Sequence, residues 1–203
     1  MNAPAVGLQL PAAIGAEFGG GRLLAALIYP DGPHALIKMP KAIGDFAGEK
    51  LLEDYDTDVP GALSLIDGHA NTKAFAAAGS KIAQRVLAIG DGTYIPAIDE
   101  LGAMYCVAKP TAQETYIYGR NGINLHSLPP RLPYAFEPPK QTDLELFREG
   151  GAEAFETDDS YWSSTQYAGR SSSAWTQWFN YGSQRSWNKS TSGRVVVVRR
   201  LPL

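Results

Sequence analysis

The sequence predicts an α+β fold, two helices packed on small antiparallel sheets with much irregular loop. Three observations carry this reading. Near the N-terminus two short apolar runs flank a dense turn. From residue 71 apolar side chains recur at three- and four-residue spacing. The last third consists of short strand-like stretches separated by glycine, serine and asparagine. With 203 residues, 44% of them hydrophobic, the chain is long enough for one domain with a sizeable core. Residues 1–16 read as an N-terminal arm and 17–203 as the domain, with an insertion at about 111–155.

The runs LLAALIY and HALIKM, within residues 22–39, read as a hairpin because Pro30-Asp31-Gly32-Pro33 between them is rich in turn formers. Residues 45–58 are polar and acid-rich and read as a loop. Asn71 or Thr72 can cap a helix running to about Ala88, whose apolar face is Phe75, Ala78, Ile82, Val86 and Ile89. After the turn Gly90-Asp91-Gly92, Pro96 suits the first turn of a second helix. Its buried stripe is Ala97, Leu101, Met104 and Tyr105, and it ends before Pro110. Pro129, Pro130, Pro133, Pro138 and Pro139 mark an irregular excursion, closed by a short helix over 143–149 that Gly150-Gly151 ends.

In the C-terminal third, strands are expected over 174–180, 183–188 and 194–200, with Tyr181-Gly182 as a hairpin turn and 190–193 as a loop. Val195, Val196, Val197 and Val198 are apolar in succession, which predicts a strand buried on both faces at the centre of its sheet.

Composition excludes several function classes. A formal net charge of −3 creates no basic field to attract nucleic acid. No apolar run approaches the roughly 20 residues of a spanning helix, so membrane insertion is not expected. Residues 1–15 lack the basic start and cleavage site of a secretory signal, which predicts synthesis in the cytoplasm without a signal peptide. The single cysteine, Cys106, sits among apolar neighbours and reads as a buried, inert thiol.

Catalytic and metal chemistry find little support, and no cofactor is implied. His34, His69 and His126 are far apart and have no ligand-spaced partner. Asp54, Asp56 and Asp58 have the spacing of a calcium loop, but Val59 stands where such a loop needs glycine. Gly19, Gly20 and Gly21 precede a strand instead of joining a strand to a helix, which disfavours a phosphate cradle. Glu153, Glu156, Asp158 and Asp159 could supply an acid and base pair, though acidic clusters of this kind are usually solvated. The expectation is a protein that is not an enzyme.

All four tryptophans fall within the C-terminal third, and no acidic residue occurs from Ser160 to Arg194. Stiff aromatic rings among serine, asparagine and glycine are the chemistry of recognition surfaces, because they offer contact area at low entropic cost and adaptable hydrogen bonds. Trp162 and Trp175 read as core. Trp187, between Ser186 and Asn188, and Trp178, after Thr176 and Gln177, read as surface anchors, joined by Tyr181 and Arg185.

Tyr161-Trp-Ser-Ser-Thr-Gln-Tyr167, then Ala174-Trp175, Phe179, Gly182, Gln184, Lys189 and the ending Arg194-Val-Val-Val-Val-Arg-Arg200 carry a resemblance. The chain resembles the C-terminal domain family of the Legionella collagen-like adhesin. Ile28-Tyr-Pro-Asp-Gly32, Asn71-Thr72, Tyr94-Ile-Pro-Ala-Ile-Asp-Glu-Leu101 and Gly150-Gly-Ala-Glu-Ala-Phe155 extend it over about residues 17–201. The resemblance implies a C-type-lectin-like fold, close to the variable proteins of diversity-generating retroelements. It places Ser171, Ser172, Thr176, Trp178, Asn180, Ser183, Arg185, Ser186, Trp187, Asn188, Ser190 and Thr191 on the binding face, to which the residue reading adds Tyr181. Trp162, Trp175, Phe179, Gly182 and Arg194 become framework. Val195 to Val197 depart from the family's strand pattern, and the calcium-lectin tripeptides are missing, so no calcium-dependent sugar site is implied.

The expectation is a non-enzymatic phage or prophage tail-associated receptor-binding adhesin, located in the virion tail. Its partners would be a bacterial surface protein or glycan and other tail proteins, and the resemblance implies a homotrimer. The alternative is a structural or assembly protein of the virion tail.

Overall fold

The computed structural model describes residues 10–115, 124–128 and 141–203. The chain is a mixed α+β protein with two curled sheets and few helices. The first sheet holds β1 (Glu17–Phe18), β2 (Gly21–Tyr29), β3 (Gly32–Lys38) and β9 (Val198–Pro202) in that order, all antiparallel. As expected, β2 and β3 form a hairpin in which Tyr29 pairs with Gly32. The second sheet contains β4 (Asp45–Glu49), β5 (Ser160–Gln166), β6 (Ser173–Trp178), β7 (Gln184–Asn188) and β8 (Gly193–Val196), in the order β4-β8-β5-β6-β7. Among the described residues only the β5–β8 pairing, at Tyr161 and Arg194, is parallel.

The long helix expected from Asn71 or Thr72 to Ala88 is two helices, α2 (Gly68–Ala77) and α3 (Lys81–Ala88), and both predicted caps give way. Asp67 caps α2 by accepting from the Ala70 N–H, and Ser80 caps α3 by accepting from the Ala83 N–H. Gly79 between them has φ +92°, a left-handed conformation that ends a helix and that glycine adopts without strain. The apolar period survives the break, so Phe75, Ile82 and Val86 still face one core. A short helix, α1 (Lys41–Gly44), precedes β4, which forms where a polar loop is expected. The second predicted helix is α4 (Ile98–Ala108), and its run from Ile98 to Tyr105 is buried throughout. The helix expected over 143–149 is a single 3-10 turn, Glu145–Phe147. The five prolines that marked the excursion lie outside the described residues, as do residues 1–9 of the arm.

The valine run is explained by two cores. Val196 and Val198 join one with Leu27, Leu36, Leu101, Met104, Tyr105, Phe155 and Phe179. Val195 and Val197 join the other with Phe75, Ile82, Val86 and Trp162. Side chains alternate across a strand, so a chain passing between two cores needs apolar residues at every position. β8 is accordingly internal to its sheet. The run does not continue as one strand: it changes sheets at Val197, whose N–H donates to Gly44 and whose carbonyl accepts from Met39. No helix of the described residues is long and apolar enough to cross a membrane.

Candidate functional site: the β5–β7 recognition segment

The segment begins with a strand that is polar yet buried along its length. Ser163, Ser164 and Thr165 of β5 have no exposed surface, and Gln166 has 3%. Burial of polar groups requires partners, and here they come from loops far away in sequence. The Ser164 hydroxyl donates to the Ile95 carbonyl at 2.7 Å. Thr165 donates to the Ser64 carbonyl at 2.8 Å and accepts from the Ile98 N–H at 3.1 Å. Gln166 accepts from the Val59 N–H and donates to Asp58 at 2.7 Å. The serine and threonine pattern thus clamps the loop before α2 and the start of α4 onto the sheet. Trp162, fully buried, donates its indole N–H to the Glu49 carbonyl.

The β6–β7 hairpin is anchored at its tip. Phe179 stacks on Phe155 with ring centroids 3.8 Å apart and meets Tyr105 and Tyr161 edge-on. Gly182, at φ +85°, lies so close to Tyr105 that an added Cβ would come within 2.6 Å of the ring. The chain therefore turns outward on both sides of a plug. Trp178 and Tyr181, each half-buried, stack on one another at 5.4 Å with planes 21° apart. Asn180 between them is tied down, its carbonyl and side-chain oxygen accepting from the Thr111 hydroxyl.

Of the residues expected on the binding face, Ser171, Arg185, Ser186 and Thr191 are exposed. Ser172, Trp178, Asn180, Tyr181, Trp187, Asn188 and Ser190 are half-buried. Thr176 and Ser183 are corrections: both have no exposed surface, and Thr176 donates to the Arg185 carbonyl. They lie within the sheet because Trp162 pairs with Thr176 on β5, and the Trp178 N–H bonds to Ser183 at the hairpin neck. The register also divides the set. Ala174 pairs with Trp187 and Thr176 with Arg185, which puts Trp178, Arg185 and Trp187 on one face. Trp175 and Ser186 share the other. Trp187 turns inward on its face, packing against the core edge-to-face with Trp162. Trp175 is half-buried instead of fully enclosed, with Tyr167 edge-on at 5.0 Å. Of the other framework residues, Phe179 is buried, and Arg194 pairs with Asp45 at 2.7 Å.

Beside Ser171 opens a cleft of about 490 Å³ between the loop carrying Asp58, Pro60 and Leu63 and the turn carrying Gln166, Tyr167 and Arg170. Sequence reasoning missed this wall, because its two sides are separated by roughly a hundred residues. The available signal was the motif Thr-Gln at 165–166, whose buried amide draws Asp58 to it. Lys189 supports the floor: fully buried, it donates to Gln166 at 2.9 Å and to the Thr57 carbonyl, and its ammonium lies over the Phe75 ring at 5.8 Å. Burial lowers its pKa, and Asp58, Asp54 and Asp56 act in the opposite sense. The acidic loop is thus held by a lysine ammonium and by its own hydrogen bonds, in which Asp54 accepts from the Asp56 N–H and the Thr57 hydroxyl.

Of the acidic residues considered for catalysis, Glu153 and Glu156 are held in ion pairs. Glu153 pairs with the buried Lys38 at 2.7 Å, and Glu156 with Lys41 at 2.6 Å. Lys38 also lies over the Phe155 ring at 5.7 Å, so these pairs fasten the Gly-Gly-Ala-Glu-Ala-Phe segment to β3 and α1. Among the described residues no group of three histidine, cysteine, aspartate or glutamate side chains gathers as a metal-ligand set. Cys106 is partly exposed, contrary to its expected burial. Among the described residues Glu100 is fully buried and pushed up to about 7 by desolvation, although Tyr29, Tyr94 and the Ala97 N–H donate to it. It joins β2 to α4 through these bonds. Comparison with protein-family models, curated proteins and solved structures finds no match.

Proposed function

We propose that this chain is a non-enzymatic ligand-binding protein with a C-type-lectin-like fold, acting as a receptor-binding adhesin of a phage or prophage tail. The observation that carries the reading is the contrast within one segment. Residues 160–166 are locked into the molecule by buried hydrogen bonds, while the hairpin beyond them presents the Trp178–Tyr181 stack, with exposed Arg185 on the face of Trp178 and exposed Ser186 on the other. Aromatic area with adaptable polar groups on a fixed frame suits binding, because little conformational entropy is lost when a ligand docks. The resemblance to the Legionella adhesin domain and to retroelement variable proteins points the same way. The ligand is a bacterial surface protein or glycan, the uncharged residues 1–14 serve attachment to other tail proteins or oligomer contact, and the assembly is a homotrimer.

The test is a virion carrying Trp178→Ala, Tyr181→Ala and Arg185→Ala together. Trp187 is left intact because its ring supports Trp162. Complete particles that fail to adsorb support the adhesin. Particles that fail to assemble support a structural role in the tail.

A further inference from the structure

We propose that the outer edge of β7 receives an extended segment of a bacterial surface protein as an added strand of the five-stranded sheet. The inference rests on the adhesin reading and chooses between its ligand classes. β7 is the last strand of its sheet. The Trp178 N–H donates to the Ser183 carbonyl, and the Lys189 N–H to the Ser172 carbonyl. Because an antiparallel strand turns its backbone groups alternately inward and outward, Ser183, Arg185, Trp187 and Lys189 face β6. Gln184, Ser186 and Asn188 face away from it. The Asn188 carbonyl is taken by the Thr191 N–H, but the N–H and carbonyl of Ser186 have no partner among the described residues.

Natural edge strands are blunted by proline, bulges, cover or charged side chains, and of these β7 carries the charged Arg185. β7 contains no proline, pairs with β6 in unbroken register, and has Arg185 and Ser186 exposed at its centre. The opposite edge of the sheet differs, since β4 is bulged between Phe46 and Glu49. A row of amide donors and acceptors repeating every two residues, about 7 Å, matches a peptide backbone and has no counterpart in a sugar chain. The side chains of an added strand would alternate between the face of Arg185 and Trp187 and the face of Ser186 and Trp175. A second copy of this chain is the poorer occupant. Residues 160–194 contain basic side chains and no acidic one, so a second such edge offers this one no complementary charge. The fitting partner is an extended segment of neutral or acidic character.

The experiment uses the full chain and a displayed library of random peptides, with Ser186→Pro as the discriminating variant. That change removes one outward N–H and leaves the inward-facing bonds of Arg185 and Trp187 in place. Enriched peptides should bind the native chain and lose affinity for Ser186→Pro by roughly tenfold or more, and binding should slow amide exchange at Ser186 and Asn188. Equal binding to both chains, absence of enrichment, or protection only elsewhere would overturn the proposal. So would protection of the same amides by concentration-dependent self-association without peptide. If the proline variant does not fold, the exchange pattern of the native chain decides alone. A virion that adsorbs normally with Ser186→Pro but not with the triple alanine change would sink the edge proposal and leave the adhesin standing.

Discussion

Trp187 meets Trp162 edge-to-face, with ring centroids 6.0 Å apart and planes at 89°. One ring of the recognition segment therefore rests on a tryptophan that is completely buried, while Arg185 and Ser186 before it on β7 are exposed. Replacing Trp187 with alanine should cost about 2 kcal/mol, less than for a fully enclosed tryptophan. Tyr181→Ala and Arg185→Ala should each stay within about 0.5 to 1 kcal/mol. Urea midpoints of the three single variants check the ordering.

Lys189 should matter more than its place in a polar loop suggests. Lys189→Met retains the aliphatic stem but leaves the Thr57 carbonyl without its donor and removes the cation beneath Asp54, Asp56 and Asp58. A loss of roughly 2 to 3 kcal/mol is expected. Faster amide exchange should appear through residues 54–59 and not in β2 or β3.

Gly182→Ala should destabilise by about 2 kcal/mol or more, because the position combines φ +85° with close approach to Tyr105. The same substitution at Gly92, also at positive φ but with open space around its Cβ position, should cost less. Comparing the two thermal midpoints separates backbone strain from the clash.

Glu100 makes stability depend on pH. Its pKa in the folded chain is raised to about 7 by burial, so the native state holds a proton that the unfolded chain, near 4.5, has released. The carboxyl's contribution is complete below about 4.5 and is lost as pH rises through about 7, with a slope of at most roughly 1.4 kcal/mol per pH unit. His69, lowered mainly by burial, works in the opposite direction over part of this window. The difference between native protein and Glu100→Gln, followed by urea unfolding between pH 4.5 and 8, isolates the carboxyl.

Much of the frame was legible because local pattern and tertiary role agree. The turn at residues 30–33, the buried stripe of α4 and the doubly apolar valine run each state their environment in their own residues. Other features depend on distant partners. The break at Gly79 interrupts a period that continues across it, and β4 is a polar stretch recruited as an edge strand by β8. The burial of Ser163, Ser164 and Thr165 has no local signature, because the Ile95 and Ser64 carbonyls that accept from Ser164 and Thr165 come from distant loops. The same reason removes Thr176 and Ser183 from the binding face. Their small polar side chains resemble those of Ser171 and Ser186, but β6 lies between β5 and β7 and encloses Thr176, and Ser183 is buried at the hairpin neck.

The central claim is that the exposed hairpin carries the adhesive contact, and competition for adsorption tests it most directly. Host cells are preincubated with the purified chain, and attachment of the parent virion is then measured. The native chain should slow adsorption with increasing concentration, and the Trp178→Ala, Tyr181→Ala, Arg185→Ala chain, used below its own thermal transition, should need at least about ten times more. Equal competition by both chains would contradict the account and move the adhesive contact off this face.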